Sequence, residues 1–216
     1  METNLLILGK GDNMITMVLD NLYSTYKLKD IVVYNNLNLP TLNSFDHEGF
    51  NIEVLNEVNI DDYYQYVLGV YQPQNKIKIV QTLNPAILKF TNVIHKGLDM
   101  SHTSKLGDGV LINSKVSIAA HTTIGDFVSI NRHVSIGHHT TIGDYCSINP
   151  GTNIAGNVTI GKGVTIGIGA NIIDGVKIGD NTIIGAGSLV TKDIPSNVVA
   201  YGSPCKIIKE NETQSI

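Results

Sequence analysis

Residues 136–178 read IGHHTTIGDYCSINPGTNIAGNVTIGKGVTIGIGANIIDGVKI, and isoleucine returns in this stretch at every sixth position. The same six-residue step, followed in both directions, meets an apolar residue each time from Ile94 to Val190. The position four residues after each of them is almost always small or β-branched, as at Thr140 and Cys146. Such a repeat predicts short strands that coil around an apolar core, with one large and one small inward side chain per hexad.

Three hexads make one turn of such a coil, so residues 18 apart are predicted to stack and neighbouring turns to pair as parallel strands. The repeat keeps its phase from residue 94 to 190, which predicts a solenoid of about five turns that the chain leaves after Val190. Glycine follows many of the repeating isoleucines, as at Gly137 and Gly143. We expect these glycines to relieve the backbone where the chain turns between strands.

The composition narrows the classes of function. A formal net charge of −4 offers no basic stripe for a nucleic-acid polymer. The longest apolar run near the N-terminus, Leu5 to Leu8, is too short for a membrane span or a signal-peptide core. The two cysteines, Cys146 and Cys205, make no disulfide framework. The sequence therefore predicts a cytoplasmic protein without membrane or nucleic-acid partners.

The N-terminal part alternates strands and helices as a small α/β domain does. Residues 4–9, 30–36 and 66–71 are predicted strands. Residues at helical spacing follow the first of them: Met14, Met17, Val18, Leu22 and Thr25. A second helix is predicted to begin at Pro73, with one apolar side: Ile77, Val80 and Leu83. The loop after the first strand, with Gly9 and Gly11, lies where such domains receive phosphate groups, although a structural turn explains the two glycines equally well.

The 18-residue stacking predicts which residues lie above and below the adjacent histidines, His138 and His139. His138 falls between Ala120 and Gly156, which leaves room beside the imidazole for a bulky acyl donor. Imidazole is also the side chain whose titration range suits a general base at neutral pH. His139 falls in a polar column: Thr103, His121, His139, Asn157 and Gly175. Since corners of a β-helix are solvated, a surface position without a role stays open for these histidines.

The segment 136–195, together with GSPCKII at 202–208, resembles the NeuD/PglD-type family of bacterial sugar acetyltransferases, and the resemblance covers nearly the whole chain. Cys205 stands at the alanine position of the family's usual G-x-P-A-K ending. The resemblance implies an α/β, Rossmann-like domain at 1–90 that binds a nucleotide sugar. It further implies a left-handed parallel β-helix of hexapeptide repeats at 91–195, followed by a tail at 196–216.

The resemblance also implies roles for residues of the coil. His138 matches the family's catalytic histidine. His139 stands where relatives often carry an acid, and it is expected to act beside His138 by orienting the acceptor or relaying a proton. Gly156 matches the glycine whose backbone lies near the thioester, and coenzyme A would run along Ile168 and Ala186.

The acceptor side departs from the family pattern. The family's first loop commonly reads G-A-G-G-H-G, whereas residues 9–14 here read GKGDNM, and asparagines replace the acidic residues that follow the second strand. An amide can hydrogen-bond the edge of a base but supplies no carboxylate. The candidate substrate-binding residues are Gly9, Gly11, Asn13, Asn35 and Asn36.

The resemblance predicts an acetyl-CoA-dependent acetyltransferase that acts on the amino group of a nucleotide-linked 4-amino sugar, for surface polysaccharide or glycan synthesis. Transfer is expected to be direct, with His138 as general base. Relatives form parallel homotrimers that hold coenzyme A between neighbouring β-helices, and the same assembly is expected here. O-acetylation of a sugar hydroxyl, as in the sialic acid type, and a non-catalytic scaffold are the alternatives.

A metal enzyme is a remote alternative, since the γ-class carbonic anhydrases share the β-helix and bind zinc with three histidines. His133 and His138 are five residues apart. A catalytic zinc site needs at least three protein ligands. The family pattern places the third near Gly97, which has no ligand atom, and His95 and His102 are out of register. No metal is therefore expected.

Overall fold

The computed structural model describes residues 5–9, 18–22, 31–34, 44–47, 50–55, 65–83 and 88–212. The N-terminal part contains a five-stranded sheet of β1 (Leu5–Leu8), β2 (Ile31–Tyr34), β3 (Ser44–His47), β4 (Phe50–Leu55) and β5 (Gln65–Leu68), in the order β3-β4-β2-β1-β5. All neighbours pair in parallel except β3, which is antiparallel to β4. The three predicted strands are confirmed. Strands β3 and β4 were not predicted, although residues 50–55, FNIEVL, alternate apolar and polar side chains as a half-buried strand does.

Two helical segments belong to this part of the chain. Residues 18–22 are helical and are named α1; Met14, Met17 and Thr25 of the predicted helix lie outside the described residues. Helix α2 (Pro73–Thr82) begins at the predicted proline, whose missing N–H costs nothing in a first turn. Its buried residues are Pro73, Lys76, Ile79 and Val80. The predicted apolar side is thus wrong in part, since Ile77 and Leu83 are only half-buried.

The rest of the described chain is a parallel β-solenoid of two-residue strands in three sheets, here named I, II and III. Sheet I holds β6 (Val93–Ile94), β9 (Leu111–Ile112), β12 (Ser129–Ile130), β15 (Ser147–Ile148), β18 (Thr165–Ile166) and β21 (Ile183–Ile184). Sheet II holds β7 (Asp99–Met100), β10 (Ser117–Ile118), β13 (Ser135–Ile136), β16 (Asn153–Ile154), β19 (Asn171–Ile172) and β22 (Leu189–Val190). Sheet III holds β8 (Lys105–Leu106), β11 (Thr123–Ile124), β14 (Thr141–Ile142), β17 (Thr159–Ile160) and β20 (Lys177–Ile178).

Stacked turns in the coil are 18 residues apart, as predicted. Ile136, for example, pairs with Ile118 on one side and Ile154 on the other. The repeating apolar residues and the small residues four positions later point inward and form one buried cluster. The turns between strands stack into three corners: the I–II corner, as at residues 131–134, the II–III corner, as at 137–140, and the III–I corner, as at 143–146. A residue at a corner therefore stacks on the residues 18 positions before and after it in the sequence.

Each corner holds one residue in the left-handed backbone region. The third residue after each repeating apolar position has a positive φ from Gly109 to Gly187, and many of these residues are not glycine: Lys115, His121, Phe127, His133, His139, Tyr145, Asn157 and Asn181. The role predicted for Gly137 and Gly143 is therefore wrong. A Cβ on Gly137 would lie 2.4 Å from the carbonyl carbon of Ala155. These glycines are required by the close approach of the next turn and not by a turn conformation.

The coil continues past Val190, where the sequence predicted its end. Ile194 bridges to Ile178, and Ala200 of β23 (Val198–Gly202) pairs in parallel with Ile184. These steps span 16 residues instead of 18, which is why the six-residue pattern no longer detects them. Strand β24 (Cys205–Glu210) then returns antiparallel to β23 and ends the described sheet.

The N-terminal part packs on the outer face of sheet I. Lys76 of α2 is buried, and its Nζ donates hydrogen bonds to Phe127 O at 3.0 Å, Cys146 O at 2.9 Å and Ser147 Oγ at 3.1 Å. Ser147 Oγ donates its own proton to Tyr71 O, so all three neighbours of Nζ act as acceptors. Three acceptors favour the ammonium form, whereas burial lowers the pKa of Lys76 to about 7. This contact fixes α2 to the coil and leaves sheets II and III for other contacts.

Candidate active site

The two adjacent histidines lie at the II–III corner, between β13 and β14. The 18-residue step places His138 between Ala120 and Gly156, and His139 between His121 and Asn157. The backbone agrees, since His139 N donates to Ala120 O at 2.9 Å and Asn157 N donates to His138 O at 2.8 Å. Both imidazoles are exposed. The coil thus presents two imidazoles side by side on an open edge.

The two rings contact each other through their nitrogens. His138 Nδ1 lies 3.2 Å from His139 Nδ1, and the ring planes are 83° apart. The His139 ring also packs against His121, with 4.9 Å between the ring centroids. Sequence stacking predicted the column of His139 but not its contact with His138, because that contact depends on side-chain direction.

Gly156 makes the position of the His138 ring possible. A Cβ on residue 156 would lie 2.6 Å from His138 Cε1 and 2.9 Å from His138 Nε2. These distances are far below van der Waals contact, so only glycine leaves space for the ring at this place. The far nitrogen of His138 therefore lies over the backbone of the next turn.

Asp174 is a member of this corner that sequence reasoning missed. Its Oδ1 lies 3.0 Å from the same Cβ point of residue 156, and it accepts a hydrogen bond from Asn157 Nδ2 at 3.1 Å. The available signal was its place two turns after His138 in the same column. A carboxylate therefore stands near the imidazole, on the other side of Gly156.

The cysteines of the coil are not placed as nucleophiles. Cys146 is fully buried, and burial raises the pKa of its thiol to about 12. Burial also raises the pKa of Cys205. Because the thiolate is the reactive form, both groups stay as poorly reactive thiols at neutral pH. This arrangement agrees with the predicted transfer without a covalent intermediate on cysteine.

Ile168 and Ala186, along which coenzyme A is predicted to run, lie at a different corner from the histidines, whereas Gly156 lies beside His138. Ile168 and Ala186 stack at the I–II corner, where Gly187 N donates to Ile168 O at 2.8 Å. Ile168 is 59% exposed, although it is a large apolar side chain. Sheet II, with its ladder from Asn153 to Asn171, separates this corner from the II–III corner. One chain by itself does not bring Ile168 and Ala186 to the predicted base.

Of the predicted substrate-binding residues, the structure describes Gly9. It is buried at the carboxyl end of β1, with a positive φ of 83°, and its N–H donates to Tyr34 O at 2.9 Å. The carboxyl ends of β2 and β5 meet at the same edge, where parallel sheets hold their ligands. Gly11, Asn13, Asn35 and Asn36 lie outside the described residues.

The histidine pair considered for zinc is not assembled within the chain. His133 lies at the I–II corner and His138 at the II–III corner, so five residues of sequence carry them to different edges of the coil. Within the described ranges, no three His, Cys, Asp or Glu side chains are grouped to hold a metal ion. The position of His133 therefore gives the metal reading no support.

A shallow depression lies on sheet III, near the end of the coil. Its lining includes Thr159, Lys177, Asp180, Asp193 and Ser196, and none of the histidines. Since it contains no group suited to proton transfer at neutral pH, the II–III corner is the better candidate for the reacting groups.

The repeat matches a known protein family. The family described as bacterial transferase hexapeptide (six repeats) matches residues 121–156 and 157–192, which include the histidine pair. No curated protein matches the sequence.

Solved structures resemble the chain over almost its whole length. A variant of perosamine N-acetyltransferase from Caulobacter crescentus, in complex with CoA and GDP-perosamine, is 25% identical over 96% of this chain and 97% of its own, with a TM-score of 0.83. PerB from the same organism, also with CoA and GDP-perosamine, is 26% identical over 95% and 97%, with a TM-score of 0.82. The acetyltransferase domain of PglB from Neisseria gonorrhoeae, with acetyl coenzyme A, shares the fold at 21% identity over 96% and 100%, with a TM-score of 0.84.

These comparisons confirm the resemblance to sugar acetyltransferases that the sequence predicted. In the described part of the chain, no helix has the length and apolar character needed to cross a membrane.

Proposed function

We propose that the chain, whose residues 121–192 match the bacterial transferase hexapeptide repeats, is an acetyl-CoA-dependent sugar N-acetyltransferase. The acceptor is the amino group of a nucleotide-linked amino sugar of the 4-amino type. The product serves surface polysaccharide or glycan synthesis in the cytoplasm. The observation that carries the proposal is the His138 imidazole on an open corner over Gly156, in a chain similar throughout to an enzyme bound to CoA and GDP-perosamine.

In the proposed mechanism, His138 acts as general base through Nε2. The amine of the acceptor attacks the thioester carbonyl, and His138 Nε2 takes one N–H proton as the new C–N bond forms. The C–S bond then breaks, and the proton passes from His138 to the leaving thiolate, so that coenzyme A leaves as the thiol. No metal is required by this sequence of steps.

Gly156 is proposed to stabilise the oxyanion. Its N–H donates to no acceptor among the residues that the structure describes. The Cβ point of residue 156 is 2.9 Å from His138 Nε2, so the backbone of Gly156 lies next to the proposed base. A free N–H beside the base is suited to polarise a thioester carbonyl as negative charge develops on its oxygen.

The acceptor is proposed to reach the N-terminal part of the chain. Residues 1–90 would form a Rossmann-like domain that binds the nucleotide sugar, ahead of the left-handed β-helix at 91–195 and the tail at 196–216. Gly9 supports this assignment by its place at the carboxyl edge of the parallel sheet. Gly11, Asn13, Asn35 and Asn36 complete the proposed site.

Each active site is proposed to lie between two chains of a homotrimer. The proposal is supported by the distribution of the predicted site residues over two corners. His138 and Gly156 lie at the II–III corner, whereas Ile168 and Ala186 lie at the I–II corner. If the II–III corner of one chain faces the I–II corner of its neighbour, coenzyme A contacts both. The exposed apolar surface of Ile168 would then be covered by the ligand and the neighbouring chain.

Mixing two inactive variants tests the shared site. His138→Ala removes the base, and Ala186→Trp fills the exposed coenzyme edge with a bulky side chain. Co-refolded in equal amounts, the two are expected to regain about a quarter of wild-type turnover, because random assembly brings one intact copy of each edge together at that frequency. Activity no higher than that of the two variants measured separately would contradict a shared site.

Thiol release from acetyl-CoA tests the proposed reaction. The acceptors are nucleotide-linked 4-amino sugars and matched sugars in which a hydroxyl replaces the amine. We expect release with an amino sugar and little with its hydroxyl analogue, since the amine is the better nucleophile. Release with the hydroxyl sugars alone would replace N-acetylation with O-acetylation, and release with none of them would leave the scaffold alternative.

A further inference from the structure

The contact between the two histidines restricts where their protons can be. His138 Nδ1 and His139 Nδ1 are 3.2 Å apart, which is a hydrogen-bond distance. In a neutral imidazole one ring nitrogen carries a proton and the other accepts. The contact therefore requires one of the two Nδ1 atoms to be the donor and the other the acceptor.

The surrounding turns hold both rings in this arrangement. His139 has a left-handed backbone with a φ of 55°, its N–H donates to Ala120 O, and its ring packs against His121. The other end of the exposed His138 ring lies over Gly156. The His139 ring is positioned by the preceding turn and the His138 ring by the following turn. The contact between the two rings is therefore a consequence of how the turns stack.

We infer that His139 is a positioning residue whose Nδ1 accepts the proton of His138 Nδ1–H and so fixes His138 in the tautomer with a free lone pair on Nε2. The inference rests on the proposed function, because a base that acts through Nε2 must carry its proton on Nδ1. The opposite direction of the hydrogen bond would put a proton on Nε2 and leave no base facing Gly156.

This role differs from the one expected from the sequence, in which His139 orients the acceptor or relays a proton. His139 Nδ1 faces the base, and the ring packs at a tilt against His121. The other titratable groups near the pair are His121 on the preceding turn and Asp174 beyond Gly156. Asp174 Oδ1 accepts from Asn157 Nδ2 on the preceding turn, beyond Gly156, whereas His139 lies within hydrogen-bond distance of His138 Nδ1.

The imidazole tautomer can be measured without any substrate. In protein labelled with 15N-histidine, two-bond proton–nitrogen correlations distinguish the Nδ1–H tautomer from the Nε2–H tautomer, and His138→Ala assigns the signal. We expect His138 in the Nδ1–H form in the wild-type protein. The variant His139→Phe removes the acceptor, so the fraction of His138 in the Nδ1–H form should fall.

The chain supplies matched controls for this experiment. Phenylalanine is tolerated at position 139, since Phe127 and Tyr145 occupy the same place of the hexad with φ of 58° and 62°. His102→Phe replaces an exposed histidine two turns before His138 and should leave the His138 tautomer unchanged. A His138 with its proton on Nε2 in the wild type, or a tautomer that does not respond to His139→Phe, would overturn the inference.

Kinetics separate this inference from the proposed function. His139→Phe is expected to lower kcat by at least about 10-fold with little change in KM, since it removes part of the contribution of a general base. His139→Glu, which restores an acceptor, should recover most of kcat. Acetyl transfer by a protein whose His138 carries its proton on Nε2 would overturn the inference alone. The expected tautomers without transfer to any acceptor would overturn the function alone.

Discussion

Replacing His138 with alanine is expected to lower kcat by about 10²–10⁴-fold, the usual contribution of a general base. The imidazole is exposed on a corner of the coil, so its removal leaves the buried isoleucine column intact. The measurement is steady-state thiol release at saturating acetyl-CoA, with circular dichroism to show that the fold is retained.

His102→Ala is the matched control for this variant. His102 is also exposed and lies at the same kind of corner, but two turns before His138. We expect its kcat to stay within a few-fold of wild type. Near-normal turnover in His138→Ala, or an equal loss in both variants, would contradict the assignment of His138 as base.

Adding one methyl group at Gly156 is expected to lower kcat/KM by about 10²-fold, because displacement of a reacting group by about 1 Å can cost that much. The new Cβ would lie 2.6 Å from His138 Cε1, so the ring must move away. Because the ring is the far end of an exposed side chain and can move, the loss in the free energy of unfolding is expected to be about 1 kcal/mol or less, the low end of what overpacking costs.

A double-mutant cycle identifies His138 as the source of that cost. In a His138→Ala background the ring is gone, and Gly156→Ala should destabilise the fold much less than it does in the wild type. The comparison uses urea unfolding at one fixed protein concentration, since assembly would otherwise shift the apparent stability. Equal destabilisation in both backgrounds would show that the methyl group is opposed by another neighbour, such as Asp174 Oδ1, and not by the imidazole.

The architecture of the coil could be predicted from the sequence because the six-residue period of the sequence is also the number of residues in each strand-and-corner unit of the fold. An inward residue at every sixth position leaves one way to stack the turns, and Ile118, Ile136 and Ile154 are paired as that step requires. The left-handed residues escaped prediction because side chains such as Phe127 and Lys115 have no preference for positive φ. The sharp change of chain direction at each corner imposes that conformation. The corner itself forms only when the turns have stacked.

The candidate site was predictable to the same extent. The step of 18 placed His138 beside Gly156, and two such steps would have placed Asp174 in the column as well. The step also shows that Ile168 is not in the column of His138, and the structure puts it at another corner. Lys76 could not be found in this way, because its three acceptors lie on a part of the chain distant in sequence.

The most direct measurement of the central claim is the chemical identity of the transferred group. Acetyl-CoA labelled with 13C at the carbonyl would be incubated with the protein and a nucleotide-linked 4-amino sugar, and the label followed by carbon NMR. We predict that the signal moves from the thioester to an amide of the sugar with wild-type protein and stays in the thioester with His138→Ala. A label that ends in an ester, or that leaves the thioester equally well without His138, would contradict the account.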